Sequence, residues 1–222
     1  MKRKEFDSKK DFLNSRKPQF LSIFYQGQEL IRNNSIKKVL EFGGGNNSLK
    51  ALVTYYNKTH LGVDFDDVHF NPDIVSTILD FQTDETFDVV CAFQVLEHNP
   101  KETIKKNIKK MASLSNKYVF ISVPYSGRWL SINFNFNFMP TKFGRWNKTL
   151  LFTWPRILKK VRPLEKYKKR KDKYNPHWWE VGDKELSKKK FNEIINSTGL
   201  KISKSFHNEF FPYHIFYLLE KR

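Results

Sequence analysis

Eight residues, Glu41-Phe-Gly-Gly-Gly-Asn-Asn-Ser48, constrain this chain more than any other stretch. They follow the apolar run Lys38-Val-Leu-Glu-Phe42 and precede Leu49, Leu52, Val53 and Tyr56 at helical spacing, so the segment reads as strand, tight turn, helix. Glycines in such a turn permit positive φ. They also let backbone amides approach a ligand closely at the carboxyl end of a parallel strand, where open α/β sheets bind cofactors. His60-Leu-Gly-Val-Asp-Phe65 reads as the next strand. Asp64, at its end, stands where an acid can accept hydrogen bonds from ribose hydroxyls.

The remainder alternates in the same way. Residues 73–78 form a short β-branched run, and Phe87-Asp-Val-Val-Cys-Ala-Phe93 is the continuous apolar run of a strand covered on both faces. Asn99-Pro-Lys-Glu102 predicts a helix start, with Asn99 as N-cap, Pro100 at N1 and Glu102 as the reciprocal partner, and Ile104, Ile108 and Met111 as the buried face. Tyr118–Val123 is the next strand, ended by Pro124. Asp183 is expected to cap a helix that runs to Gly199, and two strand-like runs, 200–206 and 214–219, close the chain. A helix over residues 18–33 precedes the first strand. The pattern is α/β: a mainly parallel sheet with helices on both faces, in one domain of 222 residues (1–222) that opens with a tail and helix over 1–35. Residues 126–182 interrupt the alternation and are too long for a bare connection.

A dinucleotide fold is the nearest competitor. Against it, Glu41 sits two residues before the first glycine, and Ser48 occupies the third glycine position of G-x-G-x-x-G. The pattern resembles instead E-x-G-x-G, the first motif of class I S-adenosylmethionine-dependent methyltransferases. Leu61-Gly-Val-Asp-Phe65, Asp80-Phe81, Phe87-Asp-Val-Val…Gln94-Val-Leu-Glu-His98 and the Tyr118–Pro124 strand are similar to further family segments. The resemblance implies a Rossmann-like sheet of seven strands in the order 3-2-1-4-5-7-6, the last antiparallel, with S-adenosylmethionine as cofactor. It implies that Glu41 orders water or the amino end of the cofactor and that Gly43 and Gly45 pass their backbone along its methionine part. Asp64 would hold the ribose diol, Phe65 would pack on the adenine, and Asp80, next to Phe81, would accept from the adenine amino group. Gln94 would face the methyl donor. Asn47 stands where the family often has a third glycine, and asparagine tolerates left-handed backbone better than other side chains do.

Methyl transfer to an oxygen or nitrogen needs a proton removed, and near pH 7 a histidine is the simplest base. His98, after the fourth strand, is the first candidate. His177, in Asn175-Pro-His-Trp-Trp-Glu180, is the second, and a structural role for either remains open. Gln94-Val-Leu-Glu97-His98 also resembles the E-x-x-E-H ligand set of small-RNA terminal 2′-O-methyltransferases and some quinone-pathway enzymes. Its first position is Gln, a poorer cation ligand than a carboxylate, so no metal is expected. The N/D-P-P-Y/F/W turn of amino methylation on DNA bases is missing, and Cys91, the one cysteine, lies within the apolar strand and reads as core.

Net charge is +17, and residues 126–182 carry 14 Lys/Arg against 3 Asp/Glu, a net +11. The excess is therefore local to a basic, aromatic insertion after strand 5. Such a segment can cover an anionic acceptor, sit on anionic lipid, or track RNA. A small-molecule or glycan-, lipid- or nucleotide-linked acceptor, with an anionic membrane surface, is the preferred reading. The chain resembles small stand-alone methyltransferases of bacterial cell-surface polysaccharide pathways, which share the His-Trp-Trp-Glu-like stretch and the closing Pro212-Tyr-His-Ile-Phe-Tyr217. An RNA methyltransferase and a non-catalytic cofactor-binding protein are the alternatives. With a single cysteine, no signal-peptide pattern and no long uncharged apolar run, a cytoplasmic location peripheral to the membrane is expected.

Overall fold

Continuous apolar runs in the central strands build a sheet that must be buried on both sides. A computed structural model describes residues 9–45, 47–68, 70–126, 129–138, 146–155, 177–208 and 212–222. Five parallel strands come first: β1 (Lys38–Phe42), β2 (Thr59–Asp64), β3 (Ile74–Val75), β4 (Phe87–Phe93) and β5 (Ser115–Pro124). Two strands of a separate ribbon follow, β6 (Trp129–Phe138) and β7 (Trp146–Pro155). The chain then returns through β8 (Leu200–His207) and β9 (His214–Lys221). The main sheet runs β3-β2-β1-β4-β5-β9-β8, with β9 antiparallel to both its neighbours. With the ribbon set aside, this is the order 3-2-1-4-5-7-6 expected from the sequence.

Period-two alternation divides the core. Leu40, Phe42, Val90, Ala92, Val119, Ile121 and Tyr217 face α3 (Ile104–Leu114) and α4 (Lys188–Asn196), meeting Ile104, Ile108, Met111, Phe191 and Ile195. Val39, Val89, Cys91, Phe93, Phe120 and Phe216 form the opposite layer with Leu30 of α1 (Lys9–Arg32) and with Leu49 and Val53 of α2 (Ser48–Tyr55). A Cβ on Gly27 would collide with Leu52, so this glycine allows α1 to cross close over α2. Cys91 is fully buried, and burial, reinforced by the charge of Glu41, pushes its thiol well above its ordinary pKa.

Local expectations fail where side-chain hydrogen bonds override them. α1 begins at Lys9 and passes through Pro18, where residues 18–33 were expected. β3 keeps only Ile74 and Val75, because the Thr77 hydroxyl bonds the Asp80 carboxylate (2.6 Å) and closes a turn directly after it. The capping box at 99–102 does not form. The chain makes 3-10 turns over Leu96–His98 and Lys101–Thr103, the Asn99 N–H is taken by Leu96 O, and its side chain donates back to Val95 O (3.3 Å). Asp183 is not the cap of α4. Ser187 is, accepting from Lys190 N–H (3.2 Å), while the Asp183 carboxylate accepts from Glu180 N–H (3.3 Å) one turn earlier.

The insertion leaves and rejoins the sheet at one point. Ser126 N–H donates to Val181 O (2.8 Å) and Val181 N–H donates to Pro124 O (2.9 Å), at the carboxyl end of β5. Between these ends β6 and β7 pair antiparallel from Trp129↔Pro155 to Phe138↔Trp146. The alternation Phe134-Asn-Phe-Asn-Phe138 is the period-two signal of such a ribbon, where from the sequence only an insertion is expected. The basic runs at 156–176 lie outside the described residues.

Candidate active site

The glycine turn is shaped by its backbone. Gly43 (φ +76°), Gly45 (φ +53°) and Asn47 (φ +60°) all occupy the left-handed region, so Asn47 does what a third glycine would do there. Gly43 N–H donates to Val63 O (2.8 Å), which ties the turn to the end of β2. A Cβ on Gly43 would collide with Val95 Cγ2. The turn after β1 thus lies directly against the segment after β4. Beneath it, Glu41 Oε2 lies 2.9 Å from His60 Nε2, with both side chains almost fully buried. His60 was not singled out from the sequence. Only strand pairing shows that it belongs here, since β1 residue Glu41 lies opposite β2 residue Gly62 and the imidazole reaches back across one step.

Asp64 ends β2, is 7% exposed, and accepts from Asp66 N–H through Oδ1 (3.1 Å). Phe65 beside it is 72% exposed, an open apolar surface next to the glycine turn. Asp80 is exposed and its carboxylate is held by Thr77. The Phe81 ring belongs to the core, edge-on to Phe42 at 5.6 Å, and its N–H is committed to Thr77 O (3.1 Å). A role for Phe81 toward a ligand through its side chain is therefore not what its packing provides.

Beyond β4 the chain turns sharply at Gln94 (φ +59°), whose N–H donates to Ser122 O (2.9 Å) on β5. A non-glycine residue held there is strained backbone at a strand's carboxyl end. Oriented by its neighbours, the Gln94 amide donates to Glu97 Oε1 (3.2 Å) and accepts from Val123 N–H (3.2 Å). Glu97 has no exposed surface, and its Oε2 has no hydrogen-bond partner among the described residues. Burial, against the opposing effect of its own backbone N–H and with help from the Glu180 charge, pushes its carboxyl up to about 8.

The end of the insertion docks on this turn. Trp178 N–H donates to Glu97 O (2.8 Å) and Trp179 Nε1–H to Asn99 O (3.0 Å). As a result the His177 and His98 rings stand edge to face, 5.2 Å apart, although 78 positions separate them in the sequence. Behind them, Tyr213 OH donates to Glu180 Oε1 (2.8 Å), and His177 Nδ1 lies 3.4 Å from that hydroxyl and 3.5 Å from the carboxylate. Both candidate bases thus share one cluster with Glu97, Glu180 and Tyr213. Glu180 and Tyr213 lie in the stretches Asn175–Glu180 and Pro212–Tyr217, but no chemical role follows from their sequence positions.

Five parallel strands, a glycine turn after the first and a reversed last strand inserted next to the fifth define the class I methyltransferase fold. No protein-family model and no curated protein matches the sequence. Among solved structures, magnesium protoporphyrin IX methyltransferase from Synechocystis PCC 6803 with bound SAH aligns over 93% of this chain and 85% of its own, at 14% identity and TM-score 0.59. Mitomycin 7-O-methyltransferase aligns over 97% of this chain and 58% of its own, at 13% identity and TM-score 0.56. The glycopeptide N-methyltransferase MtfA complexed with SAH covers 89% and 86% of the two chains at 6% identity and TM-score 0.53. At these identities the likeness is one of fold.

Proposed function

We propose that this chain is an S-adenosylmethionine-dependent O-methyltransferase acting on an anionic small acceptor, a lipid- or nucleotide-linked glycan in particular. The observation that carries this reading is the glycine turn pressed against the turn that holds His98, at the carboxyl ends of adjacent strands β1 and β4. Gly45 fits a bound cofactor because a Cβ there would meet nothing nearer than 3.9 Å, which leaves the backbone of the turn open to a ligand. Gly43 and Gly45 would lie along its methionine part, Asp64 would accept from its ribose hydroxyls, and Gln94 would border its reactive end. When bound, S-adenosylmethionine supplies a methyl group on a sulfonium, and the charge cancels as transfer proceeds. The chain's part is to align the acceptor, exclude water and assist loss of the hydroxyl proton, and the last task falls to the cluster around His98 and His177.

Support for the acceptor comes from the local charge of the insertion and from Ile132, Phe134 and Leu150 on the ribbon, 38%, 48% and 38% exposed, of which Phe134 and Leu150 are cross-strand partners. Apolar side chains beside Lys/Arg runs match an interfacial segment on anionic lipid, which fits an enzyme at the cytoplasmic face of a membrane. Isothermal titration with S-adenosylhomocysteine tests the cofactor half. Saturable binding that falls at least about tenfold in Asp64→Ala is expected, from the loss of a charged hydrogen bond. Absence of heat in the wild type, or undiminished binding in the variant, would sink it. A methyl-transfer screen over nucleotide sugars, glycolipids and bulk RNA tests the acceptor half, and turnover confined to RNA would replace it.

A further inference from the structure

Glu97, His98 and His177 offer one ligand atom each, and these three atoms lie within 4.8 Å of one another. We propose that they bind a divalent first-row transition ion, through one carboxylate oxygen and two imidazole nitrogens, with at least one coordination position left open. Donors about 2.0–2.2 Å from a shared ion stand roughly 3–4 Å apart, so closure needs a shift of no more than about 2 Å. His177 has the freedom to supply it, because its side chain is 21% exposed at the end of the insertion.

A second observation at the same site points to an ion. Glu97 Oε2 is completely buried without a hydrogen-bond partner among the described residues, beside a second buried carboxylate, Glu180, which is 2% exposed. A buried carboxyl oxygen without a partner is an unmet acceptor, and a bound cation would satisfy it. The remaining neighbours have the form of an outer shell. The Gln94 amide reaches Glu97 Oε1, and Tyr213 OH and Glu180 lie against His177 Nδ1 at 3.4 and 3.5 Å, where they would orient the ring and leave Nε2 for the ion. Two imidazoles and one carboxylate suit Zn²⁺, Co²⁺, Fe²⁺ or Mn²⁺ better than Mg²⁺, which prefers oxygen donors throughout. From the sequence no metal is expected, because Gln94 stands in a ligand position. Here Gln94 positions Glu97, and His177, brought from the far end of the insertion, supplies the third ligand.

What the ion does rests on the methyltransferase reading; whether it binds does not. At the open position an acceptor hydroxyl would lose its proton more readily, as a metal-bound water does. The oxygen then takes the methyl group as the carbon–sulfur bond breaks. The proton passes to solvent.

Cobalt(II) titration of the chelator-treated full chain, followed by visible absorption, tests the site. One saturable equivalent with d–d bands is expected. Glu97→Gln and His177→Gln should each weaken it at least about tenfold. His177→Gln lies on a partly exposed segment, so it retains a folded chain if the buried variant does not. No saturable signal in the wild type, or wild-type affinity in both variants, overturns the proposal. S-adenosylhomocysteine titrated into the same samples separates the two claims. Its binding to a chain that takes no cobalt leaves the methyltransferase reading standing, and cobalt uptake without it leaves only the metal site.

Discussion

Gly43 concentrates two requirements at one Cα. Its φ of +76° and the position of Val95 Cγ2 each exclude a side chain. Gly43→Ala is expected to cost about 1–3 kcal/mol by urea denaturation and to weaken S-adenosylhomocysteine binding. Adding Val95→Ala removes the collision but not the backbone strain, so it should restore only part of the loss. His214, on β9, sets a pH dependence. Burial first, and then the charge of nearby His177, lower its pKa from 6.5 to about 4. The unfolded chain therefore takes up the proton before the folded one. Stability is fully present above pH 6.5 and is lost as pH falls toward 4, by about 2 kcal/mol between about pH 7.5 and pH 5. His207, also lowered by burial, acts in the same direction. Denaturation midpoints measured across that range should fall, and should fall less in His214→Gln. Of the residues discussed, Glu41, Gly43, Gly45 and Asp64 were legible from local pattern. His60 was not, because its contact with Glu41 exists only across paired strands.

Elements show the same division. β1, β2, β4 and β5 are legible because a strand covered on both faces is a continuous apolar run, and α3 because Ile104, Ile108 and Met111 recur at helical spacing. Their ends are not, because a cap depends on which of several nearby polar groups wins the hydrogen bond. Ser187, not Asp183, wins at α4. Ser187→Ala is expected to cost about 1 kcal/mol, measured by thermal or urea unfolding, with the Lys190 N–H left uncapped. The ribbon of β6 and β7 is less legible, because its alternation is short and set within an aromatic and lysine-rich stretch.

For the whole molecule, charge and fold separate. A net +11 of the chain's +17 belongs to residues 126–182, so the basicity bears on what the protein meets and not on how the sheet forms. Flotation with anionic vesicles is expected to carry the wild-type chain at low salt and to release it as salt rises. Replacing the basic residues of 166–173 with glutamine should abolish flotation while leaving S-adenosylhomocysteine binding intact; flotation unchanged by these replacements would remove the membrane from the proposal. The sequence by itself determined the α/β alternation and the glycine turn, because strand burial, helical periodicity and glycine turns are local properties written in consecutive residues, while the order of the seven strands was implied by the family resemblance. Only the tertiary structure decided that the two ends of the insertion meet at Pro124 and Val181, and that His177 therefore reaches Glu97 and His98. Spatial neighbours so distant along the chain are chosen by the packing of the whole sheet, and no local pattern encodes them.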